Sequence, residues 1–170
     1  MTLPDLEALS TEGARLRWVA SDREAVERAA AAAERELARG ESARLLGYLG
    51  NAHRLLGRHD EAVAAHERAV ELADGDRALA VALTRLGESY RCADRYEDAE
   101  ASLRRALELA PPEVAHYALQ HLGKTLLDRG AAGEAAEALD RALAERRAAG
   151  DPALIASTER ALAAVRRAAP

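Results

Sequence analysis

Residues 83–111 read LTRLGESYRCADRYEDAEASLRRALELAP. Leu83, Leu86, Gly87 and Tyr90 fall at i, i+3, i+4 and i+7, one face of an α-helix. After a break at Ala93-Asp94-Arg95, Ala99, Leu103, Ala106 and Leu107 form a second stripe at helical spacing. The stretch therefore predicts two helices joined by a short turn. The same marks stand at Leu46, Leu49, Gly50 and His53, followed by Ala62, His66, Ala69 and Val70, and again at Leu119, Leu122, Gly123 and Leu126. Small residues such as Gly50 and Ala62 let two helix backbones approach closely.

The pattern spreads over the whole chain. Glu24-Ala25, Glu61-Ala62, Asp98-Ala99 and Glu134-Ala135 are separated by 37, 37 and 36 residues. Gly13, Gly50, Gly87 and Gly123 keep the same three steps. Two independent markers on one period indicate an internal repeat. The copies cover residues 5–40, 43–76, 79–112 and 115–149, the first degenerate because Glu12 stands where the others have Leu before the glycine. Asp151-Pro152 is a helix start signal, and Leu154, Thr158, Leu162 and Val165 predict a capping helix over 152–168. A repeat array needs its last apolar face covered. The same helix could instead serve a dimer contact, so the expected state is a monomer or a weak homodimer.

Composition agrees. Of 83 apolar residues among 170, 43 are Ala and 25 Leu, with no Phe, one Trp and four Tyr. This mix favours helices and excludes an all-β fold or disorder, leaving one all-α domain. Basic residues are 23 Arg and Lys124 alone, a bias that a GC-rich bacterial genome explains. The net charge of −5 argues against a nucleic-acid partner. The N-terminus carries no basic stretch ahead of an apolar one, and the Ala29–Ala33 run is too short to span a bilayer, so no membrane partner and a cytoplasmic location are expected. Cys92 cannot form an internal disulfide; Arg91 and Arg95 beside it would lower its pKa, yet no in-register His and Asp make it a nucleophile. With no Gly-rich phosphate loop, HExxH or GxSxG, the chain is not expected to be an enzyme or to need a cofactor or metal.

The combination Leu83-x2-Leu86-Gly87-x2-Tyr90…Ala99-x3-Leu103…Ala106…Pro111 resembles the tetratricopeptide repeat, whose pattern is W-x2-L-G-x2-Y, then A-x3-F, then P. Leu46-x2-Leu49-Gly50-x2-His53 and Leu119-x2-Leu122-Gly123-x2-Leu126 are similar, and Gly13, Ala25 and Ala32 keep register in the weak copy. The period exceeds the usual figure of about 34. It resembles the longer repeats of bacterial regulator and kinesin-light-chain-like arrays, and suggests an extended connection before each first helix. The resemblance implies a right-handed α-α superhelix of about four helix-turn-helix repeats plus the capping helix, with the first helices lining a concave groove.

On that resemblance the groove residues are Tyr48, Asn51, Arg54, Arg85, Glu88, Arg91, Tyr117, Gln120, His121 and Lys124, with Arg17 and Trp18 in the same rows of the first copy. Cations outnumber acids there, whereas second helices are acidic, so the groove suits an acidic or extended peptide. Asn51 stands where some family members place an Asn that clamps a terminal carboxylate, but Gly47 replaces the expected lysine. A heat-shock-protein tail is therefore not the expected ligand. His53 and His66 replace aromatics of the pattern and read as packing residues; His116 and His121, five apart, are poorly spaced for shared ligation. The expected function is a non-catalytic protein- or peptide-binding scaffold. A ligand-sensing regulatory module and a small secretion or assembly chaperone are the alternatives.

Overall fold

The computed structural model describes residues 3–168. Two short strands, β1 (Ser10–Glu12) and β2 (Trp18–Ala20), pair antiparallel in the register Ser10–Ala20, Thr11–Val19 and Glu12–Trp18. They are followed by α1 (Arg23–Leu37), α2 (Ala43–Leu55), α3 (His59–Glu71), α4 (Asp76–Cys92), α5 (Tyr96–Leu109), α6 (Pro112–Asp128), α7 (Ala132–Ala149) and α8 (Pro152–Ala168). Helices α2/α3, α4/α5 and α6/α7 form three antiparallel pairs, each stacked on the next, with α1 against α2 and α8 against α7 and α6. The architecture is an all-α helical-repeat solenoid. No helix among the described residues is long and apolar enough to cross a membrane.

Two expectations need correction. The first copy is not a helix pair: α1 supplies its second helix, but the place of its first helix is taken by the β1–β2 hairpin. Glu12 denies that segment the apolar residue a first helix would bury, and Thr11, Trp18 and Val19 favour strands. Gly13 keeps the repeat register yet serves the hairpin, its N–H donating to the Arg17 carbonyl at 2.7 Å. Arg17 and Trp18 thus do not lie on helical rows. The extra residues of the long period also do not extend the connections. They lengthen the first helices: α4 and α6 have 17 residues each, against 13 in α2. Only Ala110 and Pro111 separate α5 from α6, because Pro112 can open a helix at its first position.

Within each pair the turn closes on a left-handed residue. Gly57 (φ 76°) and Gly130 (φ 85°) hold this position in two pairs, while the middle pair uses Asp94 (φ 58°). Close packing follows the glycines of the first helices. A Cβ on Gly87 would stand 2.5 Å from Cγ of Leu103, and one on Gly123 would stand 2.5 Å from Cγ of Leu139. Both leucines are fully buried, beside the equally buried Ala99 and Ala135. In the first of the three pairs His66 fills the same slot, its ring against Gly50. His66 Nε2–H donates to the Gly47 carbonyl at 3.2 Å, and Nδ1 accepts from the Ser89 hydroxyl at 2.8 Å. With no water to solvate a charge, burial first and then the Arg54 guanidinium push this imidazole down to about 3.

Gly87→Ala should cost about 1–3 kcal/mol, because Leu103 must leave its place or the helices must part, and Gly87→Leu should cost more. Urea unfolding of both variants checks this; unchanged midpoints would refute the close approach. His66 sets a pH dependence. The unfolded ring gains a proton below about 6.5, the folded ring only near 3, so stability falls as pH drops through that window. Between pH 6.5 and 4.5 the loss from this ring is on the order of 2–3 kcal/mol. His66→Leu, which installs the residue of the other two pairs, should flatten that slope in denaturant midpoints measured against pH.

Candidate functional site: the inner face and its occupant

Helices α2, α4 and α6, the first members of the three pairs, lie side by side and present one face. At its centre is Arg91, whose side chain is wholly buried. A guanidinium has five N–H donors, and here each has an acceptor. Nε–H and one Nη2–H bind Glu88 at 2.9 and 3.0 Å; one Nη1–H binds Asp128 at 2.9 Å. The remaining two donate to the main-chain carbonyls of Arg15 and Leu16 at 3.1 and 3.2 Å. Glu88 also accepts from His121 Nδ1 at 2.8 Å and lies 3.8 Å from Arg54. Burial alone would raise the Glu88 carboxyl, but Arg91 and His121 hold it well below the usual carboxylate range.

The carbonyls of Arg15 and Leu16 belong to the tip of the β1–β2 hairpin, which lies on this face. Lys124 Nζ donates to Leu16 O at 3.3 Å, and burial pushes its ammonium below the ordinary lysine value. Arg17 donates to the carbonyls of Cys92 and Arg91 at 3.1 and 3.0 Å and pairs with Asp94 at 2.6 Å. Arg15 meets Asp94 at 3.2 Å, Asp128 at 3.5 Å and the Tyr96 hydroxyl. Arg160 of α8 holds Glu12 at 2.7 Å. Leu16 packs on the apolar cluster that includes Leu126, Leu139 and Leu162, and Trp18 packs on the cluster of α1 and α2. Arg15 and Leu16 both take positive φ, 56° and 54°, a conformation costing an L residue about 1–2 kcal/mol.

The ten residues expected in the groove therefore divide. Arg54, Glu88, Arg91, His121 and Lys124 converge beneath the hairpin. Tyr48 donates to the Pro4 carbonyl at 2.8 Å, so the segment before the hairpin also runs along this face. Gln120 is buried and turned toward Ser157 of α8. Tyr117 is exposed and stacks on His116, with Arg146 above its ring, away from the cluster. The Asn51 side chain has no hydrogen bond among the described residues, and neither has Arg85. Arg85 joins Arg44 and Arg77 around a cleft of about 310 Å³ with Gly47, Ala78, Val81 and Ala82. None of these three arginines has an ion-pair partner among the described residues.

The expected groove set did not include Glu12, Arg15, Leu16, Asp94 and Asp128, nor the cleft arginines Arg44 and Arg77. One signal was present: Asp94 stands where the other two turns have glycine. Cys92 departs from expectation, for burial pushes its thiol up despite Arg91 and Arg54 nearby.

Comparisons with known proteins agree with the helical-repeat fold. Residues 41–111 match the tetratricopeptide repeat family. That stretch carries tetratricopeptide repeats. Among solved structures, the array is similar to the apo form of RapI (TM-score 0.70, 13% identity, 86% of this chain and 58% of that one). BtubC from P. vanneervenii superposes with TM-score 0.62 at 23% identity, over 85% of this chain and 64% of that one. The first tetratricopeptide domain of Spaghetti (RPAP3), solved with an HSP90 peptide, gives 0.59 at 18% identity over 75% and 92%. At these identities the likeness is one of fold. No curated protein matches the chain.

Replacing Arg91 by Met should destabilise this tetratricopeptide array by about 3–5 kcal/mol, since Glu88 and Asp128 keep their charges in a dry site without their main partner. Urea unfolding at neutral pH reads the effect. A loss below about 1 kcal/mol would mean that water reaches the cluster.

Proposed function

We propose that the chain is a non-catalytic scaffold that takes an acidic protein segment on the inner face of its tetratricopeptide array. The observation that carries this reading is the arginine cleft between α2 and α4. Arg85 is half-buried, and that burial lowers its pKa with no acid to offset it. A guanidinium partly withdrawn from water without a protein acceptor is costly, so an incoming carboxylate gains more here than on an open surface. Arg44 and Arg77 add two exposed charges of the same sign at the rim, and Ala78, Val81 and Ala82 offer an apolar floor for the neighbouring side chain. Of the four cations expected in the groove, Arg54, Arg91 and Lys124 lie under the hairpin and Arg85 does not, so we assign the acidic part of a partner to the Arg44–Arg77–Arg85 end. Binding of protein or peptide segments by tetratricopeptide arrays, as in the RPAP3 domain solved with an HSP90 peptide, supports the same reading.

Arg44→Glu/Arg77→Glu changes two exposed side chains and should leave the helical melt in place. Affinity capture from the source-cell lysate, wild type against this variant, should lose a set of partners that wild-type protein also releases as salt is raised. Capture of the same set by both proteins would refute the cleft.

A further inference from the structure

The hairpin meets the inner face through contacts that a separate protein segment could make. Lys124 and Arg91 hold main-chain carbonyls of Arg15 and Leu16, which every residue type possesses. Leu16 fills a half-buried apolar position between them. The hairpin has three residue pairs, and a ribbon of that size is not stable alone, so the face it lies on gives it order. Its tip is strained at Arg15 and Leu16, and Val19 is 40% exposed. The helix pairs, by contrast, pack on one another without it. If the hairpin leaves, Glu88 and Asp128 still satisfy three of the five Arg91 donors, and His121 still donates to Glu88. Two Arg91 donors and Lys124 Nζ, whose one hydrogen bond among the described residues is to Leu16 O, become open.

We propose that residues 10–20 are a displaceable internal occupant of the groove, and that a partner engages the array by taking their place. The partner segment this surface fits is a turn that offers two adjacent main-chain carbonyls to Arg91 and Lys124 and a Leu-sized side chain to the cluster of α6–α8. This rests on the groove reading above and adds regulation to it. Tethered to α1, the hairpin competes at the high effective concentration of an intramolecular ligand. Partner affinity is then scaled by the fraction of molecules with the hairpin released.

The probe is a dye-labelled synthetic peptide of residues 8–21 carrying Trp18→Phe, so that the single Trp of the protein reports on its own hairpin. In the full chain, Leu16→Ser/Arg17→Ala changes the hairpin and leaves the groove intact. This variant should keep its helical signal, shift Trp18 emission to the red, and bind the peptide at least tenfold more tightly than wild type. Equal binding, or no binding by the folded variant, would overturn the proposal. Hydrogen exchange on the wild-type chain is a second readout that needs no variant. The Gly13 and Ser21 amides, bonded to Arg17 O and Leu9 O, should exchange at least a hundredfold faster than amides in the middle of α4 and α6. Exchange only through global unfolding would also overturn it. Asp94→Gly, which installs the turn residue of the other pairs, should speed those two amides further without lowering the helical melt. If the peptide binds the opened variant while neither protein retains a lysate partner, self-occupancy stands and the scaffold reading falls. If lysate partners bind both proteins equally, the scaffold reading stands and the gate falls.

Discussion

The buried guanidinium of Arg91 is the constraint around which the inner face is organised. A cation removed from water is tolerated only where its donors are met and its charge balanced. Glu88, one turn earlier on the same helix, supplies the balance; Asp128 at the end of α6 and the hairpin carbonyls supply the rest. Glu88 in turn gathers His121 from α6 and, at longer range, Arg54 from α2. One polar cluster therefore joins all three helix pairs and the N-terminal hairpin. Its members depend on one another, since any one left alone would be a buried, unpaired charge.

Packing inside each pair is of another kind. Gly87 against Leu103 and Gly123 against Leu139 are contacts of dispersion and shape, with buried alanines completing the seam. These leucine contacts are indifferent to salt and to pH; only the first pair, where His66 fills the slot against Gly50, carries a titratable group in its seam. The array thus has rigid pairs joined across an inner face whose energetics are electrostatic. Ligands acting on that face can change how the pairs are held without disturbing the leucine seams inside the second and third pairs.

This division explains what was legible in the sequence. Gly-and-Leu spacing at i, i+3, i+4 and i+7 is a local signal, and it located the pairs and the terminal helix. It also placed Arg91, Lys124 and Glu88 on the inner face. It could not tell that they are covered, because the cover comes from a distant stretch: 108 residues separate Lys124 from Leu16. Gly13 and Ala25 kept the repeat register, so the hairpin resembled a weakened helix pair. The evidence against that was Glu12 at an apolar position and Trp18-Val19, which suit a strand.

Asp94 shows how a local exception marks a tertiary contact. Two of the three intra-pair turns use glycine for the left-handed residue, which carries no steric penalty there. The middle turn gives up that advantage and gains a carboxylate. Arg17 at 2.6 Å, Arg15 at 3.2 Å and the Tyr96 hydroxyl at 2.5 Å all converge on it, and hydrogen bonds from Tyr96 and Arg17 draw its pKa down to about 2. Since the turn itself would be easier with glycine, the aspartate is explained by what docks on it. The hairpin tip carries matching strain at Arg15 and Leu16. Two strained segments facing each other, each at odds with its local preference, mark an interface whose stability resides in the contact and not in either part alone.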